Sequence, residues 1–148
     1  MMSTRFDYYK ACPEATETML KLEEFVKSNG LDAKLYELIK LRSSQINGCS
    51  YCIDSHTRDL KKLGETDQRL YLLSVWREVP FYTEKECAVL ALTEAVTLIA
   101  DAGVPDEVYE QVRKEFDERQ FMVLLMAINT INSWNRIGIA TRLLPNRK

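Results

Sequence analysis

Residues 46–66, INGCSYCIDSHTRDLKKLGET, read as a tight turn followed by one helix. Asn47-Gly48 suits a turn and interrupts the apolar spacing that precedes it. From Cys49 or Ser50 onward, Ile53, His56, Leu60 and Leu63 recur at helical spacing, and Gly64 supplies a stop. Upstream, Asp32 can cap a helix carrying Leu35, Leu38, Ile39 and Leu41. Before that, Pro13 opens a segment with Met19, Leu22, Phe25 and Val26 on one side, ended by Gly30. Downstream, Glu65 to Trp76 forms a fourth short helix that ends near Pro80. Thr83 and Glu86 have capping-box spacing ahead of a very apolar helix, Ala88 to Ala100, stopped by Gly103. Pro105 opens a sixth helix with Val108, Val112 and Phe116 inward. Asp117 and Gln120 can cap a last helix from about Glu118 to Leu143, before Pro145 and a basic tail. The expectation is an all-α fold of about seven helices in a single domain over residues 1–148.

Composition narrows the function classes. Of 148 residues, 46% are hydrophobic and 28% charged, a globular balance that excludes a disordered chain. Twenty Lys and Arg against 22 Asp and Glu leave no basic excess, so no nucleic-acid partner is expected. The longest apolar run, Phe121 to Ile128, is too short for a bilayer that needs about 20 residues, so no membrane association is expected. The start, MMSTRFDYYK, lacks the apolar segment of a secretory signal, which points to a cytoplasmic protein. The fifth and last helices are apolar around much of their circumference, and part of that surface is expected in a homo-oligomer interface.

In a reducing compartment a permanent disulfide framework is not expected, so the pair Cys49-Ser50-Tyr51-Cys52 reads as redox-active or metal-binding. A sulfur at a helix start sits beside unpaired N–H groups and the positive end of the dipole, which favour a thiolate. Two sulfurs three residues apart on a helix can form and break a disulfide with small adjustment. His56, the one histidine, lies four residues after Cys52 on nearly the same face, about 6 Å along the axis. It can accept a proton from Cys52 directly or through one water. Cys49 lies about 10 Å from it along the axis, so Cys52 is the better attacking thiolate and Cys49 the better resolving thiol. The reverse assignment, with Cys49 the more exposed sulfur attacking external disulfides, stays open for the reductive half-reaction. Zinc would need about four ligands, and no second Cys/His pair exists; Cys12 and Cys87 are remote singles. Cys87 reads as a small core residue. Trp134 and Asn135 read first as packing and second as a substrate entrance.

Glu37 would lie about 18 Å from Cys49 on one continuous helix, but the Asn47-Gly48 break lets its helix fold back. By spacing alone it is one acid among many. The arrangement Glu37, eleven residues, Cys49-Ser50-Tyr51-Cys52, three residues, His56 resembles the active-site motif of the alkylhydroperoxidase D family, within the carboxymuconolactone decarboxylase superfamily. The resemblance covers roughly Leu31 to Leu143 and centres on residues 37–56; the late Asn132-Ser133-Trp134-Asn135-Arg136 is also family-like. It implies an alkylhydroperoxidase D-like helical fold, a homotrimer or homohexamer, and a peroxidase-type disulfide cycle. Carried across, Cys52 attacks a small peroxide, Cys49 resolves, His56 relays protons and Glu37 is the proximal base. No tightly bound cofactor or metal is implied; an external dithiol, lipoyl-type or a redox partner protein, reopens the disulfide. The sequence departs at Tyr51, where well-known members carry a second histidine. Tyr51 can donate a hydrogen bond but is a poor base at neutral pH.

The leading reading is therefore a peroxide-reducing thiol enzyme. The alternatives are a thiol–disulfide oxidoreductase or a redox sensor with little peroxidase turnover, and a carboxymuconolactone decarboxylase-like enzyme that works without the cysteine pair. Glu37→Gln is expected to slow the reaction without unfolding the protein.

Overall fold

The computed structural model describes residues 2–147, and every described element is helical. In chain order these are α1 (Tyr8–Ala11), α2 (Pro13–Lys27), α3 (Ala33–Asn47), α4 (Ser50–Lys62), α5 (Asp67–Leu72), a 3-10 segment (Leu73–Glu78), α6 (Glu84–Thr97), α7 (Ile99–Ala102), α8 (Asp106–Glu115) and α9 (Glu118–Thr141). Among the described residues there are nine α-helices where about seven were expected.

The extra elements have physical causes. α1 is four residues long, too short to show periodicity; Asp7 caps it by accepting from the Lys10 N–H. The expected fourth helix starts later, because Thr66 and not Glu65 caps it, and it tightens after Leu72. Leu73 and Trp76, three residues apart, both enter the core, which matches the three-residue period of a 3-10 turn. The expected fifth helix begins at Glu84 behind the anticipated Thr83/Glu86 box, then breaks at Leu98. There the Thr97 hydroxyl is held by Ser43 at 3.0 Å and by the Asn132 amide at 3.1 Å, drawing that turn against α3 and α9. The Asp117/Gln120 box opens α9 as anticipated, and left-handed Arg142 ends it one residue before Leu143.

α3 is the central helix. One side, with Leu35, Tyr36 and Ile39, packs into a core with Val26, Val89, Leu92, Leu124, Ile128 and Ile131. Its other side, with Leu38 and Leu41, packs against Leu60 of α4, Leu73, Trp76 and Leu90. Burial of each such side chain stabilises by roughly 1.5–3 kcal/mol. A polar network locks the end of α3 to α9: the Asn47 amide donates to Asn132 Oδ1 at 2.9 Å and to Asn135 Oδ1 at 3.0 Å, and the Asn135 amide donates to the Ser44 hydroxyl at 3.0 Å. Among the described residues, no helix is long and apolar enough to cross a membrane.

Candidate active site

The site begins at the α3–α4 turn. Gly48 ends α3 at φ 74°, ψ 33°, a left-handed conformation that a side chain would strain. Its N–H and that of Cys49 both bond the Ser44 carbonyl, at 2.9 and 3.1 Å, so the chain reverses within two residues. α4 then lies back along α3, the reversal expected from Asn47-Gly48. Cys49 caps α4, its sulfur accepting from the Cys52 N–H at 3.4 Å. The two cysteines are joined by a disulfide with their Cα atoms 5.3 Å apart. Cys49 is 2% exposed and Cys52 5%. The expectation that Cys49 is the more open sulfur is therefore corrected: its position as N-cap buries it between α4 and α9.

The reversal brings Glu37 to His56. His56 Nδ1 lies 2.9 Å from Glu37 Oε2, and Lys40 Nζ lies 2.5 Å from Glu37 Oε1. Both members of the Glu37–Lys40 pair are largely buried, with side chains 13% and 7% exposed. Lys40 also sits 4.0 Å over the Tyr36 ring. Burial pushes the Glu37 carboxyl up, but the His56 hydrogen bond and the Lys40 ammonium together outweigh it and hold the group below the ordinary carboxylate range. An ionised Glu37 can only accept, so Nδ1 of His56 carries the hydrogen and donates it. The lone pair is left on Nε2. Glu37 thus orients His56 through Nδ1, and is itself a poor proton acceptor near neutrality. Burial, reinforced by Glu23 and Glu37, pushes the Tyr36 phenol well above its ordinary value.

Asp59 Oδ2 lies 4.0 Å from His56 Nδ1, and the three ligand-type atoms of Glu37, His56 and Asp59 fall within 4.8 Å of one another. Lys40 already neutralises Glu37 there, a poor setting for a cation. The zinc alternative would instead use Cys49, Cys52 and His56, whereas the two sulfurs here are bonded to each other.

A cavity of about 170 Å³ opens over Cys52. Tyr51, Ser55 and His56 of α4 line it, with Tyr8 of α1, Glu23 of α2, and Trp134, Ile137 and Gly138 of α9. The Trp134 indole donates to Glu23 Oε1 at 3.1 Å, and the Tyr8 ring meets Trp134 edge-on at 6.1 Å. The segment ahead of α1 is tied to the end of α9, its Arg5 N–H bonding the Thr141 carbonyl at 2.9 Å. Tyr51 stands at the rim, and among the described residues its hydroxyl bonds neither His56 nor Glu37. Of the two residues weighed for an entrance, Trp134 lines the cavity and Asn135 is wholly buried in the α3–α9 network. A larger cavity, about 560 Å³, lies by Trp76, Cys87 and Val108. It contains none of Glu37, Cys49, Cys52 or His56, so the chemistry assigns the site to the smaller one. Cys87 there is half-buried rather than fully in the core, and burial raises its thiol. Cys12 is exposed.

Four residues of the site escape a sequence reading: Tyr8, Glu23, Lys40 and Gly138. Lys40 follows Glu37 by three residues, ordinary spacing for a surface ion pair, and only packing buries it. Gly138 left a signal, since a glycine inside a helix costs about 1 kcal/mol against alanine and needs a reason. The reason is close approach: a Cβ there would stand 3.3 Å from Cys49 Sγ and 3.8 Å from Cys52 Sγ. Gly138→Ala should therefore leave α9 at least as stable while crowding the disulfide. Overpacking costs about 1–3 kcal/mol, and a difference of about 1.4 kcal/mol between the two redox forms would move the dithiol–disulfide equilibrium about tenfold. That is about 30 mV in a titration against a dithiol redox buffer. An unmoved midpoint would show that the neighbourhood absorbs the methyl group.

Relatives bear on the arrangement. The sequence model of the carboxymuconolactone decarboxylase family matches residues 13–95. The uncharacterized protein YdfG of Bacillus subtilis is 49% identical over 139 residues, covering 94% of this chain and 95% of that protein. A protein of unknown function from Agrobacterium tumefaciens, provisionally designated an antioxidant defence protein AhpD, superimposes with TM-score 0.95 at 42% identity, over 99% of this chain and all of that one. The debrominase Bmp8 shares the fold, with TM-score 0.81 at 18% identity, over 93% of this chain and 74% of that chain.

Proposed function

The chain belongs to the carboxymuconolactone decarboxylase family and is alkylhydroperoxidase D-like within it, and on that premise we propose that it is a peroxide-reducing thiol enzyme. The observation that carries the reading is the joint placement of Cys52 and His56 in one cavity, with His56 held by ionised Glu37 and Cys49 within bonding distance behind Cys52.

His56 Nε2 takes the Cys52 proton, and the thiolate attacks the distal oxygen of ROOH. The O–O bond breaks, Cys52 becomes a sulfenic acid, and the alkoxide leaves as ROH with the proton from His56. The Cys49 thiol attacks the sulfenate sulfur, water departs and the disulfide forms. An external dithiol then returns two electrons and two protons and is itself oxidised to a disulfide. The burial of both sulfurs favours a slender dithiol arm, lipoyl-type in this reading, over a folded partner's surface. It also weighs against a general thiol–disulfide oxidoreductase acting on protein disulfides. Tyr51 serves as a rim residue without a part in proton transfer. A cytoplasmic homotrimer or homohexamer belongs to the same reading, and exposed Leu98, Ile99 and Met122 support the assembly.

The test is peroxide consumption with dihydrolipoamide, run beside reduction of a protein disulfide. Sustained peroxide turnover with little protein-disulfide reduction is expected. The reverse pattern would make the chain a disulfide reductase. A single oxidation followed by slow reduction with every donor would make it a sensor. Catalysis of lactone decarboxylation that survives loss of both Cys49 and Cys52 would overturn the redox reading.

A further inference from the structure

Among the described residues, the cavity over Cys52 has one carboxylate and one imidazole in its lining, Glu23 and His56. Its walls are apolar at Tyr8, Trp134, Ile137 and Leu143, and among the described residues no lysine or arginine lines it. Glu23 is held in place by the Trp134 indole, which donates to its Oε1 at 3.1 Å. Behind His56 stands a second carboxylate, Glu37, but that one is neutralised by Lys40. Glu23 makes no ion pair among the described residues, and it lines the space over Cys52. Burial first, then Tyr51 and Asp7, and least Glu23, push the Tyr8 phenol up. In size, about 170 Å³ is slightly more than the cavity of about 150 Å³ that accommodates benzene in a well-studied case.

From this we infer that Glu23 is the specificity-determining residue of the cavity, turning away substrates that carry a carboxylate and admitting uncharged ones of the same size. The inference rests on the peroxidase reading for the identity of the substrate, but the charge filter does not. An anion brought beside Glu23 meets like-charge repulsion in a partly desolvated space. An uncharged molecule of the same size meets only the apolar walls.

The filter is read on the reduced protein with two size-matched alkylating agents, neutral iodoacetamide and anionic iodoacetate. Mass spectrometry with fragment spectra follows the rate at Cys52, and exposed Cys12 in the same sample serves as an internal reference. The ratio of iodoacetamide to iodoacetate rates at Cys52 should fall at least fivefold in Glu23→Gln, which can still accept from the Trp134 indole. Glu23→Asp should keep the ratio, and raising salt should narrow the gap in the parent protein. An unchanged ratio in Glu23→Gln, with Trp134 fluorescence as in the parent, would overturn the inference. A second arm compares kcat/KM for tert-butyl hydroperoxide with its carboxylate analogue, 3-hydroperoxy-3-methylbutanoate, with hydrogen peroxide as reference. Preference for the neutral compound, reduced in Glu23→Gln, supports the substrate class; no preference overturns it. If no peroxide is consumed, hydrogen peroxide included, the peroxidase reading and the substrate class fall together, and the alkylation ratio still decides the filter.

Discussion

Cys52→Ser should abolish consumption of the first peroxide equivalent, whereas Cys49→Ser should leave that first attack largely intact and block turnover. The asymmetry comes from placement. Cys52 lines the cavity together with His56; Cys49 is the N-cap of α4, turned toward Gly138 of α9 and outside the cavity wall. Deprotonation and access therefore favour the same sulfur. With Cys49 replaced, the Cys52 sulfenic acid has no neighbouring thiol to condense with and should be trapped. Single-turnover peroxide titration of both variants, followed by sulfenic-acid labelling, reads the difference. A peroxide-dependent sulfenate on Cys49 of the Cys52→Ser protein, formed at the parent rate, would reverse the assignment.

Glu37→Gln should slow the peroxide step by about 100-fold. General-base assistance is worth about 10²–10⁴-fold, and Glu37 acts on it only through His56, so the lower end applies. The structure adds an effect on stability that the sequence reading did not foresee. Glu37→Gln was expected to leave the protein folded, yet Glu37 is the buried partner of buried Lys40. Removing one member of such a pair costs about 3–5 kcal/mol, because the other charge is left unpaired. Glu37→Gln should therefore unfold at distinctly lower denaturant. Glu37→Gln combined with Lys40→Met should recover stability and not the rate, which separates the two roles. The pH dependence has a definite sign. The folded-state carboxyl lies below its ordinary value, so its stabilisation is complete above about pH 4.3. It is lost as pH falls through the depressed folded value. In Glu37→Gln that acid limb should flatten. A double variant with parental rate would remove Glu37 from the site.

The sequence carried the helical class, the Gly48 turn and the Thr83 and Asp117 capping boxes, because each is set by residues within a few positions of one another. The Cys49–Cys52 pair and His56 were legible for the same reason: they share the first two turns of α4. Glu37 was different. It meets His56 across the α3–α4 reversal, and its spacing alone did not separate it from the other acids; the family resemblance did. Lys40 was beyond reach because its burial depends on Tyr36 and on packing around α3. Tyr8 and Glu23 reach the cavity only through α9, Glu23 by a bond to Trp134 and Tyr8 by a ring contact with it. No local pattern encodes such long-range contacts. The same holds for the 3-10 segment, where Leu73 and Trp76 follow the core's demand over helical propensity.

The most direct test of the account is mass spectrometry of the fully reduced protein after one equivalent of peroxide. The account predicts loss of the mass of two hydrogens, located to a single Cys49–Cys52 disulfide, with Cys12 and Cys87 still free thiols. Oxygen added at Cys12 or Cys87 while Cys49 and Cys52 remain reduced would contradict it.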